Sequence, residues 1–240
     1  MKSLASCTFI FIFILNLTAL SQVESIQSGA DFKDASKIGR AQSGYESLQS
    51  HSSGIVNGSQ FFYPTWAKGT ITATNQTVTS NYLLLLDKVR QELFMKIKDS
   101  ATILVADKSQ LKSFTISTDK IHYFVSAPLL DPTKKDGFFE ILVNGGTGYS
   151  LLKMVKSKFV KANEHDMDKI KMGENYDAFE DEVTYYISFN NLTLQTVTLK
   201  EKSIKKVLVT KKAKVDQYFE QNNENTLDEV FLMNLIQTIN

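Results

Sequence analysis

The sequence predicts an α+β protein that is mainly antiparallel β, arranged as a sandwich or as an open barrel or roll, with two C-terminal helices packed on it. Two patterns predict this fold class. Between residues 67 and 200 apolar and polar side chains mostly alternate, and β-branched and aromatic residues dominate, as in half-buried strands. After residue 200 the apolar residues recur about every 3.6 positions, as on one face of a helix. These helical faces need a partner, and the β core is the simplest one.

The β region begins at an aromatic-rich stretch, 60–66, which we expect to close one end of the core. The clearest local signal is a hairpin, in which strands 183–189 and 192–197 flank Asn190 and Asn191. Asn tolerates the positive φ that a two-residue turn requires. The other strand candidates are 70–74, 78–86, 93–98, 102–106, 111–116, 121–125, 138–143 and 149–160.

The C-terminal segment is predicted to form two helices, with a break near Thr210. Thr226 and Glu229 fit a capping box, in which the hydroxyl and the carboxylate each accept a backbone N–H at the start of a helix. The apolar residues that share the two helical faces are Ile204, Leu208, Val215, Tyr218 and Phe219, then Leu227, Val230, Phe231, Leu235 and Ile239.

The N-terminus has the layout of a secretory signal peptide. Lys2 precedes the unbroken apolar run 9–15, and Ala19 and Ser21 place small residues at the positions before a cut at Gln22. The run is shorter than the roughly 20 residues that span a bilayer, and an uncleaved anchor is the alternative. We therefore expect a secreted or periplasmic protein, cleaved near Ser21/Gln22.

Four segments follow from these patterns. Residues 1–21 are the signal peptide, and 22–58 form a polar leader, rich in Ser, Gly and Gln, with little stable structure. Residues 59–200 form the antiparallel β domain, and 201–240 form the helices. The only cysteine lies at position 7, so the cleaved protein has no disulfide and depends on its core for stability.

Charge argues against a nucleic-acid partner. The chain has 27 Lys and Arg against 26 Asp and Glu, and a polyanion binder needs a clear basic excess. Arg40 and Arg90 are the only arginines, the residues best suited to phosphate. The lysine-rich segment 200–214 is expected to take the solvent side of a helix, with a membrane-surface or polyanion patch as the alternative. No segment after the signal peptide is long and apolar enough to cross a membrane.

One acidic cluster could hold a metal. Glu164, Asp166 and Asp168 surround His165, and carboxylates suit a hard cation. The cluster lacks the glycine and the distant glutamate of an EF-hand loop, so a solvated charged loop is the alternative. His122 lies in a predicted strand and is expected to be a surface or sheet-packing residue.

Motifs for covalent chemistry do not assemble. Ser-x-x-Lys occurs four times without the companion motifs that such acyl-transfer enzymes need. The glycine-rich stretch 145–148 lacks the features of a dinucleotide or P-loop fingerprint, and it joins two predicted strands as a turn. We therefore assign no catalytic residue and expect no cofactor.

Five short segments carry a resemblance to other proteins; they are 57–62, 87–93, 112–116, 137–143 and 202–204. In this order, behind a short signal peptide, they resemble a loose group of uncharacterised secreted proteins of Bacteroidetes-type bacteria. The resemblance implies an exported protein of the cell envelope or exterior. It brings no known activity, cofactor or catalytic residue.

Three functional hypotheses remain open at this point. The first is an exported, non-enzymatic β-rich protein with a binding or structural role, partnered by another envelope protein or by a small hydrophobic ligand. The second is a carrier that encloses a small hydrophobic ligand in a β-barrel pocket, since the chain has 16 Phe and 9 Tyr. The third is a carboxylate- or metal-dependent hydrolase around Glu164, Asp166 and Asp168.

Overall fold

The computed structural model describes residues 38–42, 56–97, 102–134, 136–162, 176–190 and 193–240. These residues form one large, open, mainly antiparallel sheet with helices at the C-terminus, which confirms the predicted α+β class. The strands are β1 Gly39–Gln42, β2 Val56–Asn57, β3 Ala67–Ala73, β4 Val78–Asp87, β5 Glu92–Ile97, β6 Ile103–Ala106, β7 Leu111–Ser117, β8 Ile121–Ser126, β9 Phe138–Val143, β10 Tyr149–Val160, β11 Asp177–Phe189 and β12 Thr193–Val197. The helices are α1 Ala127–Leu130, α2 Glu201–Val207, α3 Lys212–Gln221 and α4 Glu229–Ile239, with a 3-10 turn at Val209–Lys211 between α2 and α3.

The sheet runs in the order β1-β6-β5-β4-β3-β7-β8-β9-β10-β11-β12. Each of these neighbours pairs antiparallel, because short turns join most consecutive strands. The path has two ends, β1 and β12, so the described strands form one open sheet. Strand β2 lies off this path and pairs parallel with β11.

A short segment, 56–62, connects two distant strands of this path. Its first part pairs with the start of β11, and Phe62 N then donates to Leu86 O in β4 at 2.9 Å. The end of β4 also reaches β10 directly, since Ser157 N donates to Lys88 O at 3.1 Å. Because β4 and β11 are six strands apart along the path, these contacts hold the sheet in a curve.

Asp87 fixes the turn at which this closure occurs. Its side chain is fully buried, and Oδ1 accepts the backbone N–H groups of Val89 and Arg90 at 2.8 and 2.9 Å. The other oxygen, Oδ2, accepts from Gln60 Nε2 at 2.6 Å. The ammonium group of Lys88 bonds both carboxylate oxygens of Asp181 in β11. A buried carboxylate is stable only when hydrogen bonds replace its lost water, and here three groups of the chain donate to Asp87.

Two hydrophobic cores fill the same face of the curved sheet. The first core lies among β3 to β9 and includes Ile71, Leu84, Met95, Phe114 and Phe138. The second core lies where the C-terminal helices cover β9 to β12; it includes Val143, Leu151, Ile187, Ile204, Leu208, Val215, Leu232, Leu235 and Ile239. The helices therefore stay in place because their apolar stripe is buried against the sheet, as the sequence predicted.

The first of the two predicted C-terminal helices is divided into α2 and α3, and α4 corresponds to the second. The predicted break near Thr210 is confirmed by the 3-10 turn that contains this residue. The predicted capping box is wrong: helix α4 begins at Glu229, and Asp228 is its N-cap, accepting from Phe231 N at 2.8 Å. Asp is as good an N-cap as Thr and its charge also suits the positive end of the helix dipole. The carbonyl of Thr226 accepts from Asp228 N.

Two further expectations need correction. The β11–β12 hairpin closes at the pair Phe189 and Thr193, so three residues separate the strands rather than two, and Asn190 has the positive φ of 52°. Within the predicted leader, Gly39–Gln42 pairs with β6, because a sheet edge binds a strand through backbone groups whatever its side chains. The signal peptide lies outside the described residues.

Candidate functional site

A groove opens where the helical layer ends and the sheet continues. It lies between the ends of β10, β11 and β12 and the segment from the end of α2 through the 3-10 turn, and its volume is about 570 Å³. Ile187 on β11 is covered by the helices and is 1% exposed, whereas Phe189 on the same face is 53% exposed. Because side chains two residues apart share a face of a strand, the helical layer stops between these two positions.

Apolar side chains form most of this groove. Tyr149 on β10 faces Phe189 across the two strands, with ring centroids 5.0 Å apart. Val207 and Val209 line the opposite side, and Val209 is 64% exposed. Large apolar groups left in water at the mouth of a concave site are typical of ligand-binding surfaces.

The 3-10 turn that carries Val209 is anchored at two points. Leu208, just before it, is fully buried in the second core. The hydroxyl of Tyr149 hydrogen-bonds the hydroxyl of Thr210 inside the turn. These two anchors fix the turn against the sheet, so the groove is a preformed feature of the fold.

The groove is also electrostatically one-sided. Lys206 and Lys211 line it, and no carboxylate does among the residues that the structure describes. The nearby acids are engaged elsewhere: Lys205 lies 2.7 Å from Glu201 and 2.8 Å from Asp216, and Lys212 also pairs with Asp216.

These ion pairs also lower the pKa of Asp216. The hydrogen bond from Lys205 and then that from Lys212 hold the pKa of this carboxyl below its usual range. Asp216 is therefore engaged by two lysines that lie outside the groove.

A second cluster of charged groups is buried between the two cores. Glu140 lies on β9. Its Oε1 lies 2.6 Å from His122 Nδ1, and its Oε2 lies 3.0 Å from Lys153 Nζ. Lys153 Nζ lies 3.1 Å from Glu229 at the start of α4, and Tyr185 OH donates to Glu229 at 2.9 Å. The cluster thus links four strands of the sheet to the last helix.

The pKa values in this cluster are displaced by burial and by charge. Burial alone lowers the pKa of Lys153, but the contacts with Glu140 and Glu229 outweigh it, so the pKa is raised overall. Burial raises the pKa of Tyr185, and its hydrogen bond to the Glu229 carboxylate raises it further. Both residues are therefore held in their protonated forms.

This cluster has no room for a substrate. The space beside Glu140 and Lys153 is about 10 Å³, enough for roughly one water molecule. Phe62 covers it, with its ring edge-on to His122 at 4.9 Å and to Phe124 at 5.1 Å. The cluster therefore attaches α4 to the sheet, and this part of the interior offers no pocket for a hydrophobic ligand.

The sequence-predicted metal ligands Glu164, Asp166 and Asp168 lie outside the described residues. Within the described ranges, no group of three or more His, Cys, Asp or Glu side chains is arranged to hold a metal. Of the two alternatives for His122, the structure has the sheet-packing one, with a side chain 11% exposed. In the same ranges, no helix combines the length and the apolar character needed to cross a bilayer.

Sequence reasoning missed the buried cluster and the groove. A signal for the cluster exists in Glu140, a charge within the apolar strand Phe138–Val143, but its partner lies on another strand. Comparisons of the chain with protein-family models, with curated proteins and with solved structures give no match.

Proposed function

We propose that this chain is an exported, non-enzymatic binding protein of the cell envelope or exterior that holds a small hydrophobic ligand in the groove beside Val209. The observation that carries the proposal is the groove itself. A volume of about 570 Å³ lies within the range of small-molecule sites, roughly 300 to 1,000 Å³. The ligand site lies at the end of the sheet, not inside a barrel.

The composition of the groove supports binding rather than catalysis. Its polar groups are lysines, the Tyr149 and Thr210 hydroxyls, which bond each other, and the amide of Gln195. Acid–base or nucleophilic catalysis needs a base within hydrogen-bond reach of the reacting group, and this set offers no carboxylate or histidine. Export is supported by the signal-peptide pattern of residues 1–21.

A neutral fluorescent hydrophobe, N-phenyl-1-naphthylamine, tests the proposal on the protein purified after export. We expect saturable fluorescence enhancement that Val209→Asp weakens by at least about tenfold, since a carboxylate in an apolar site must lose its hydration. Val230→Asp is the matched control, because Val230 is 60% exposed and lies outside the groove. Equal binding by both variants, or no saturable binding by the parent, would refute the proposal.

A further inference from the structure

We infer that the ligand of the groove is an amphipathic anion, an alkyl chain that ends in a carboxylate, whose head group binds Lys206 and Lys211. This inference rests on the proposed function and specifies its ligand class. The two lysines lie on the same side of the groove as Val207 and Val209, at the end of α2 and of the 3-10 turn. An apolar surface with cations at its rim is complementary to a molecule with one charged end.

The charge pattern of the segment 201–216 supports this assignment. Its two acids, Glu201 and Asp216, both pair with Lys205, and Asp216 also pairs with Lys212. Among the described residues, no carboxylate lies within ion-pair distance of Lys206 or Lys211. The acids of this segment are therefore taken up by Lys205 and Lys212, which lie outside the groove, and Lys206 and Lys211, which line it, are left available to an incoming anion.

The interior of the groove explains why an alkyl chain fits behind the head group. Val207 and Val209 present aliphatic surface, and the Tyr149 and Phe189 rings present flat apolar surface. The Tyr149 hydroxyl is already bonded to Thr210 and needs no partner from the ligand. The alkyl chain of the ligand is therefore bound by apolar contacts, and the lysines select for its charged head group.

Two probes of equal chain length separate the charge from the apolar contact. We expect monomeric dodecanoate to displace N-phenyl-1-naphthylamine at about tenfold lower concentration than dodecanol, since each exposed ion pair contributes about fivefold or less. The double variant Lys206→Met/Lys211→Met should lose this preference and keep dodecanol binding. Added salt should reduce the preference in the parent protein.

The control is Lys200→Met/Lys202→Met, which removes the same charge from two exposed lysines outside the groove. It should keep the preference for dodecanoate. If dodecanol competes as well as dodecanoate in the parent protein, the inference fails while the proposed function stands. If neither probe competes and the neutral dye does not bind, both fail.

Discussion

Lys153 is the side chain whose loss should damage the fold most among the exposed and half-buried charges of β10. It is 16% exposed and lies between Glu140, which is 5% exposed, and Glu229, which is 29% exposed. Lys153→Met keeps most of the apolar stem and removes the ammonium group. The two carboxylates then stay in place without their shared cation, and among the described residues Glu140 keeps only the contact to His122.

The magnitude follows from the burial of the pair. Removing one partner of a buried ion pair costs about 3 to 5 kcal/mol, because the remaining charge is desolvated and uncompensated. Since Glu229 is closer to solvent than Glu140, we expect a loss near the lower end, about 3 kcal/mol. Lys158→Met is the control on the same strand. Its ion pair with Glu180 joins side chains that are 72% and 31% exposed, so we expect a loss below about 1 kcal/mol.

Urea unfolding followed by circular dichroism measures both losses, provided that the slope with denaturant stays constant. Glu140→Gln added to Lys153→Met should recover most of the stability, because the double variant buries neutral groups in place of an unpaired charge. The reasoning is refuted if Lys153→Met costs no more than Lys158→Met. It is also refuted if the added Glu140→Gln makes the protein still less stable.

Three further predictions concern pH, the last helix and the closing turn. The folded pKa values of Lys153 and Tyr185 are raised above 10.5 and 10.0, so their stabilisation is full below about pH 10 and is lost as the pH rises further. Tyr185→Phe should flatten this alkaline loss in urea midpoints measured from pH 8 to 11, and an unchanged pH profile would contradict the assignment. In thermal unfolding, Asp228→Ala should lower the free energy of unfolding by about 1 kcal/mol and Thr226→Ala by much less. A larger loss for Thr226→Ala would instead support the capping box predicted from the sequence. Asp87→Ala should cost about 2 to 3 kcal/mol in urea, because buried donors lose a charged acceptor, and a cost under about 0.5 kcal/mol would show that water replaces it.

Local patterns in the sequence were sufficient for β3 to β12 and for the helical face, because alternation and the 3.6-residue period report burial directly. They did not predict β1 and β2, which lie in the predicted leader. They were less reliable for boundaries. Strand β11 begins at Asp177, six residues before the predicted start at residue 183, and includes the acidic residues 180–182. Those side chains are half-buried or exposed, so the strand tolerates their charge. The backbone pairing with β10 therefore determines where β11 begins.

The functional features depend on contacts that no local pattern contains. Glu140 meets Lys153 because β9 and β10 pair in one register, next to a bulge between Leu151 and Leu152. The groove exists because the helical layer covers Ile187 but stops before Phe189, the next residue on the same face of β11. Three of the segments that carry the sequence resemblance, 57–62, 87–93 and 137–143, contribute to the closing turn and the adjoining cores. The residues of these three segments stabilise the sheet and do not line the groove, so the resemblance could not indicate a ligand.

The segment 56–62 has a consequence for the order in which the protein folds. Its first pairing partner, Asp177, lies more than a hundred positions later in the chain, as the pairing of Val56 with Asp177 requires. Hairpins such as β7–β8 join strands that are neighbours in the chain, so they can form early. Pairing of distant strands is slower, because the entropy of closing the long intervening loop opposes it. In a nascent chain the segment 56–57 therefore has no partner strand until β11 has been made. We therefore expect the pairing of segment 56–62 with β11 to be a late step in folding, and its unpaired backbone groups could pair with other chains until that step is complete.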